Sequence, residues 1–142
     1  MGSISKNFSY SEFEKSDIAE RYGIINNIIS ASVRDSIKAL TLNVLQPLRD
    51  AYGKPMHINS GFRCERVNQL VGGVASSQHV KGEAADIKCD RPYDLAKLAK
   101  SLNIPYDQMI LYPTFVHFSH KLNGNQRGQV LYNRTYKGAK LK

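Results

Sequence analysis

Apolar residues recur at intervals of three and four between residues 32 and 52. The residues of this stripe are Val33, Ile37, Leu40, Val44, Leu45 and Leu48. The spacing predicts one long amphipathic helix, because residues three and four apart lie on the same helix face. Gly53, followed by Lys54-Pro55, predicts its end, since a glycine readily takes the left-handed conformation that follows a last turn.

Shorter apolar runs separated by turn residues predict a sheet. The predicted strands are residues 56–60, 84–89, 107–112, 115–120 and 129–132. Pro113-Thr114 separates the third strand from the fourth and predicts a hairpin. The helices expected outside this small, mainly antiparallel sheet make the chain an α+β domain.

Two further helices are predicted, over residues 63–70 and from Asp90 onward. In the second helix the Asp90 carboxylate would cap the start and Pro92 would lie in the first turn. The inward-facing residues of this helix would be Leu95, Leu98, Ala99 and Leu102.

The chain divides by composition into three parts. Residues 1–31 predict an N-terminal arm with a short helix, capped by Ser11 ahead of the acidic Glu12. Residues 32–133 hold the predicted domain, and residues 134–142 form a basic tail. A length of 142 residues favours a single domain that buries its own core.

No run of apolar residues approaches the ~18 needed for a membrane span, so the membrane is not an expected partner. The N-terminal residues lack the apolar core of a secretory signal. We therefore expect synthesis in the cytoplasm, or a periplasmic or secreted protein whose leader has been removed.

The net charge of +8 would attract polyanions such as nucleic acid or an anionic cell-wall polymer. Charge alone does not separate these partners from a merely solubilising surface. The aromatic-interleaved basic stripe of a nucleic-acid-binding domain is missing, so nucleic acid is not an expected partner. Cys64 and Cys89 are too few for a disulfide scaffold. Two half-buried thiols are favoured, and one disulfide between them stays open.

The residues with the clearest chemistry are two histidines and one aspartate. His79 follows a glycine-rich loop, Asp86 lies in an apolar run, and His117 lies in a strand-like run. Gly82 argues against a helix between the first two, so a loop histidine and a strand aspartate would converge on one ion. A buried carboxylate costs several kcal/mol unless it is paired or binds a metal.

Two imidazoles, one carboxylate and an open fourth position suit a catalytic zinc site. The alternatives are a structural salt bridge for Asp86 and an ordinary core or surface position for His117. Taken together, the three residues predict a zinc hydrolase. His120 would point away from His117 on the strand and is expected at the surface. His57 could reach the site from the first strand.

Arg63 follows the segment Asn59-Ser60-Gly61-Phe62. A tight turn at the glycine could aim the guanidinium into a cleft. There it would bind a terminal carboxylate or stabilise an oxyanion formed by attack of water on a carbonyl. A surface arginine is the alternative.

In order and spacing, these segments resemble one known family. They are Ser60-Gly61-Phe62-Arg63, Asn68, Val71-Gly72-Gly73, Ser77-Gln78-His79, Gly82, Ala84-Ala85-Asp86 and Val116-His117. The combination is similar to the zinc D-alanyl-D-alanine metallopeptidases. That family includes carboxypeptidases, vancomycin-resistance dipeptidases and phage peptidoglycan endopeptidases, and it shares its fold with the hedgehog signalling domain. The resemblance covers roughly residues 33–132.

The resemblance implies one zinc ion per chain, bound by His79, Asp86 and His117. It implies that Arg63 stabilises the transition state and that Ser77 holds substrate. The implied function is hydrolysis of peptidoglycan stem or cross-link peptides by a monomer, as a D-Ala-D-Ala carboxypeptidase or a phage-lysin-like endopeptidase acting at the cell wall.

The chain departs from the family at the general base. Many members carry a glutamate three residues before the last ligand, where this chain has Thr114. Asp107, His57 and Tyr112 are the candidate bases in that order, although Asp107 could instead cap the hairpin. The alternative function is therefore a catalytically weak, zinc-containing module that binds the cell wall.

Overall fold

The computed structural model describes residues 2–141, and Met1 and Lys142, at the ends of the predicted arm and tail, lie outside the described residues. The helices are Tyr10–Glu14 (α1), Asp17–Tyr22 (α2), Ala31–Leu40 (α3), Gln46–Tyr52 (α4), Glu65–Leu70 (α5) and Pro92–Ser101 (α6). A π-helical segment, Thr41–Leu45, joins α3 to α4. The strands are His57–Ser60 (β1), Ala84–Lys88 (β2), Gln108–Leu111 (β3), Phe115–Ser119 (β4) and Gln129–Tyr132 (β5).

The five strands form one sheet in the order β1-β2-β4-β3-β5. All neighbouring pairs are antiparallel except β3 and β5, which run parallel. The predicted α+β class with a mainly antiparallel sheet is confirmed, and so is the hairpin between β3 and β4.

The long helix predicted from the apolar stripe is present as α3, the π-helical segment and α4. The stripe residues from Ile37 to Leu48 are fully buried, and the helix ends at Gly53, whose φ of 71° is left-handed. The π-helical segment was not predicted. Leu40 and Leu45, five residues apart, are both 0% exposed, which fits the wider turn of a π-helix.

The two faces of the sheet have different roles because side chains alternate along each strand. One face is wholly buried and forms a single core with the helical stripe; its members are Ala85, Ile87, Met109, Leu111, Val116 and Phe118. The opposite face presents Asp86, His117 and Ile110, which lie side by side on β2, β4 and β3. The candidate chemistry is therefore confined to the face that the core does not use.

Three local predictions about helix ends and faces are wrong. Ser9, not Ser11, caps α1, because the Ser9 amide and hydroxyl both donate to the Glu12 carboxylate. Arg91, not Asp90, precedes α6. Leu102 lies just past the last turn of α6 and is 46% exposed.

The prediction that His120 lies at the surface is also wrong, since the residue is buried. It points away from His117, as expected, but that direction leads to the side of the sheet occupied by Val116 and Phe118. Its amide donates to the Glu83 carbonyl at 2.9 Å and so continues the β2–β4 pairing. Burial lowers the pKa of His120 below its ordinary value.

The first and last described segments of the chain both pack onto the central structure. Phe8, Tyr10, Phe13 and Ile28 from the first 31 residues belong to the main core. Near the C terminus the Leu141 amide donates to the Tyr132 hydroxyl at 2.8 Å. Cys64 and Cys89 are both free and partly buried, as favoured from the sequence. Within residues 2–141, no helix combines the length and apolar character needed to cross a bilayer.

Candidate metal centre

Strand register brings Asp86 and His117 together. The two residues are direct partners in the antiparallel pairing of β2 with β4, so their side chains leave the same face of the sheet. Ser60, at the end of β1, pairs with Asp86 from the other side after an irregularity in the register. The aspartate therefore occupies the centre of a three-strand row.

His79 reaches this row from the loop before β2. Its Nδ1 lies 2.8 Å from the Gly61 carbonyl oxygen. Because a carbonyl only accepts, Nδ1 carries the hydrogen, and the lone pair of Nε2 faces the Asp86 carboxylate at 3.5 Å. A ring hydrogen-bonded at one nitrogen and open at the other has the orientation of a metal-ligating histidine.

The Asp86 carboxylate is buried between both imidazoles. Its Oδ1 lies 2.8 Å from His117 Nδ1. Burial alone would raise the pKa of Asp86, but the hydrogen bond with His117 and the nearby His79 imidazole outweigh it and hold that pKa well below its ordinary value. The carboxylate is therefore an anion at neutral pH.

One ligand atom from each of His79, Asp86 and His117 lies within 4.8 Å of the other two. Two imidazole nitrogens and a carboxylate oxygen are the donor set of many catalytic zinc sites. The ring of His79 is already oriented by Gly61. The three residues predicted as ligands thus come together in an arrangement that fits a zinc ion.

Arg63 lies beside this cluster. Its Nη2 is 3.8 Å from Asp86 Oδ2, its Nε donates to Ser60 Oγ at 3.2 Å, and its Nη1 donates to Asn68 Oδ1 at 3.3 Å. Burial lowers the pKa of Arg63 from its usual value, while Asp86 raises it. The hydrogen bonds to Ser60 and Asn68 therefore hold the guanidinium beside the three candidate metal ligands.

Asn68 is a supporting residue whose role the sequence did not reveal. The side chain is buried, and its Nδ2 donates to the Val74 carbonyl at 2.8 Å, which leaves Oδ1 for Arg63. A Cβ at Gly73 would lie only 2.0 Å from Asn68 Oδ1. The glycine is thus required by close packing against the group that holds Arg63.

A cleft of about 670 Å³ opens at His117 and is lined by residues of the loop before β2, of β3 and of the segment between β4 and β5. Its lining includes the polar side chains of Ser77 and Tyr112 and the basic side chains of Lys81, Lys121 and Arg127. Ser77 Oγ accepts from the His79 amide at 3.2 Å. Since a hydroxyl can donate as well as accept, Ser77 can still donate to a molecule in the cleft.

Asp107 is fully buried and bound to Arg127. Its Oδ1 accepts from the Arg127 amide at 2.9 Å and from Arg127 Nε at 3.0 Å, and its Oδ2 accepts from Arg127 Nη2 at 2.7 Å. Gln78 Nε2 donates to Oδ2 at 3.2 Å. The hydrogen bond from Arg127 lowers the pKa of Asp107 to about 2, which makes the carboxylate a weak proton acceptor.

The other candidate bases lie in different places. His57 is exposed and pairs with Lys88, away from the Asp86 row. Thr114 is exposed in the β3–β4 turn. Tyr112 lines the cleft, and its ring stacks on Phe115 with centroids 4.2 Å apart. Burial raises the pKa of Tyr112, with a further contribution from Asp86, so its hydroxyl is a hydrogen-bond donor at neutral pH.

Comparison with known proteins identifies the family of the chain. Zinc D-Ala-D-Ala carboxypeptidase of Streptomyces albus G is 35% identical to the chain over 82 residues, which are 57% of this chain and 31% of that protein. The chain therefore matches less than a third of the length of this curated relative. Residues 6–121 match the family model described as Peptidase M15. This match confirms the family resemblance found in the sequence, and the chain belongs to the peptidase M15 family.

Proposed function

We propose that this protein is a zinc-dependent peptidase that hydrolyses amide bonds in the peptides of bacterial peptidoglycan. The observation that carries the proposal is the convergence of His79, Asp86 and His117 within 4.8 Å, beside the Arg63 guanidinium, in a chain of the M15 family. The name of the Streptomyces albus G relative points to bonds between D-alanine residues as the first substrates to test.

His79, Asp86 and His117 would hold one zinc ion per chain. A bound zinc ion would lower the pKa of water toward about 7 and polarise the scissile carbonyl. Contacts within the protein preorganise these ligands. Gly61 fixes the His79 ring, and the pairing of β2 with β4 fixes Asp86 next to His117.

Arg63 would stabilise the negative charge that develops on the carbonyl oxygen during attack. Its hydrogen bonds to Ser60 and Asn68 orient the guanidinium in advance, so little reorganisation is needed when that charge forms. Ser77 would donate to a substrate carbonyl or carboxylate in the cleft. Tyr112, at the cleft wall, would donate a second hydrogen bond to the reacting group.

Asp107 has a different role in this proposal from the one expected. Its oxygens are engaged by Arg127 and Gln78, so we assign it to anchoring the cleft wall rather than to accepting a proton. Glu83 is the carboxylate among the described residues that line the cleft with His117, and its oxygens accept from the Leu122 amide at 3.1 Å and from Gln78 Nε2 at 3.4 Å, so we do not assign it as the base either. That arrangement predicts slow turnover, since a positioned base contributes about 10²–10⁴-fold.

A second candidate function follows from the lack of an assigned general base. With Thr114 exposed and Asp107 ion-paired, the fold could bind wall peptides without cleaving them. The ordered Arg63 guanidinium favours the peptidase, because a binding module has no need for a group aimed at a developing charge.

Digestion of purified peptidoglycan, with product masses measured with and without chelator, separates these functions. Loss of a terminal alanine identifies a carboxypeptidase, and cut cross-links or stems identify a lysin-type endopeptidase acting at the cell wall. Arg63→Ala should lower turnover by about 10²-fold or more while zinc stays bound. Arg66→Ala, an exposed arginine on α5, is the matched control and should leave the rate unchanged. Wall binding without products would replace the peptidase by the binding module.

A further inference from the structure

Asn26 connects the N-terminal arm to the backbone around Arg63. The residue is 6% exposed, between α2 and α3, and every hydrogen of its amide is used. Nδ2 donates to the Glu14 carbonyl at 2.8 Å and to the Phe62 carbonyl at 3.0 Å. Oδ1 accepts from the Cys64 amide at 2.7 Å. One side chain thus binds the residues on both sides of Arg63.

The segment from Phe62 to Cys64 needs such a partner. It follows the end of β1, so the sheet no longer supplies hydrogen bonds to its buried peptide groups. The Arg63 amide donates to the His79 carbonyl at 3.2 Å, and the Phe62 amide donates to the Phe13 carbonyl at 2.8 Å. Asn26 supplies two more hydrogen bonds, to the Phe62 carbonyl and from the Cys64 amide, and the arm therefore provides partners that a neighbouring strand would otherwise provide.

The position of the Phe62–Cys64 segment matters for the candidate ligand His79 as well as for Arg63. Gly61, one residue earlier, accepts from the His79 ring, and a Cβ at Gly61 would lie 2.9 Å from the Phe13 Cα. Arm and segment are therefore in direct backbone contact, with no space for the segment to shift toward the arm. The hydrogen bonds of Asn26 to Phe62 and Cys64 oppose a shift of the segment away from the arm.

We propose that Asn26 is a positioning residue that acts through Arg63, by fixing the backbone from which the guanidinium extends toward Asp86. This proposal rests on the proposed function for the catalytic role of Arg63. A misplacement of about 1 Å at a reacting group can cost about 10²-fold in rate. The arm is then part of the catalytic apparatus, although Asn26 itself does not touch Arg63's guanidinium or the metal ligands.

The test uses Asn26→Asp in the full-length, zinc-loaded protein. Aspartate keeps the acceptor for Cys64 but has no hydrogens for the Glu14 and Phe62 carbonyls. Asn27→Asp is the matched control, because it makes the same chemical change at the exposed neighbouring position. We expect kcat on peptidoglycan peptides to fall about 10²-fold in Asn26→Asp, with KM changed far less, and no change in Asn27→Asp.

A double-mutant cycle separates positioning from general destabilisation. In an Arg63→Ala background, Asn26→Asp should cause little further loss of kcat, because the group through which it acts is already missing. An equal loss in both backgrounds, or an unchanged kcat in the single variant, would overturn the proposal. If Asn26→Asp does not fold, Asn26→Ser, which keeps one donor, takes its place in the cycle.

A second readout does not depend on turnover. The Arg63 Nε–H donates to Ser60, so its signal in proton–nitrogen NMR should be protected from hydrogen exchange with water. The signal is identified by its loss in Arg63→Lys. Asn26→Asp should remove that protection and Asn27→Asp should retain it. If no peptide is cleaved but the signal behaves this way, the proposed function fails while the positioning role holds. Retained protection in Asn26→Asp contradicts the positioning role.

Discussion

Replacement of Asp107 by asparagine tests whether this carboxylate anchors the cleft wall or accepts a proton from water. In the native protein its oxygens accept three hydrogen bonds from Arg127 and one from Gln78. Asparagine keeps one oxygen and places an amide nitrogen where the other accepted. A donor then faces a donor, on Arg127 or on Gln78, in a site that is 0% exposed.

The size of the effect follows from this mismatch. A buried polar group left without a suitable partner costs about 1–3 kcal/mol of folding free energy. For a chain of this size, the Tm of Asp107→Asn should fall by roughly 3–10 °C. Turnover measured well below that Tm should fall less than about tenfold, whereas loss of a general base would lower it about 10²–10⁴-fold.

The pH dependence gives an independent check. Arg127 lowers the pKa of Asp107 from 3.8 to about 2, so the ionised carboxylate stabilises the fold above the unfolded value. That stabilisation is lost as the pH falls from about 4 to about 2. The Tm difference between native protein and Asp107→Asn should therefore be largest above pH ~4 and shrink toward pH ~2.

Thermal unfolding followed by circular dichroism from pH 7 downward, together with peptidoglycan turnover at pH 7, decides between anchor and base. Arg127→Gln is the informative companion. As an anchor partner it should lower Tm in the same way, but if Asp107 were the base, freeing its carboxylate would raise its pKa and improve proton transfer. An Asp107→Asn variant with native Tm and turnover lowered 10²-fold would refute the anchoring role.

Two further predictions concern the metal ligands and the support of Arg63. His79→Ala should abolish zinc retention measured by metal analysis after dialysis, and the exposed-histidine control His57→Ala should keep it; zinc retained in stoichiometric amount by His79→Ala contradicts the ligand assignment. Gly73→Ala places a Cβ against Asn68 and should destabilise the fold by about 1–3 kcal/mol in urea unfolding. The exposed Val71→Ala serves as its control, and equal unfolding midpoints for the two would argue against the tight contact.

The parts of the fold that sequence predicted are those set by local periodicity. The stripe through Ile37 and Leu48 predicted the long helix. Asp86 lies in an apolar run that does not alternate, and its pairing with His117 sets its face of the sheet. In β4, the alternation of His117 with Val116 and Phe118 indicates that they leave opposite faces. The same alternation, applied one step further, should have placed His120 in the interior. The direction away from His117 leads to the core in this sheet, because Val116 and Phe118 leave the strand on that side and are fully buried.

The remainder depends on contacts between distant segments. Asp107 was a reasonable base candidate from its place before β3, and its ion pair with Arg127 arises only because β5 pairs in parallel with β3 and brings residue 127 alongside. Asn26 gave a weaker signal still, a polar residue among isoleucines in the arm. Its partners Phe62 and Cys64 lie 36 and 38 residues away.

These two residues illustrate why a motif predicts metal ligands better than it predicts the groups that support them. A ligand must be one of a few side chains at a strand position or loop fixed by the fold, so its identity and place are both constrained. A supporting contact can come from any element that reaches the same backbone groups. In this chain Phe62 and Cys64 are hydrogen-bonded to the N-terminal arm, and Gly61 packs against Phe13 of that arm. Removing the arm should therefore disturb Arg63 and, through Gly61, the His79 ring together, although no arm residue is a predicted ligand.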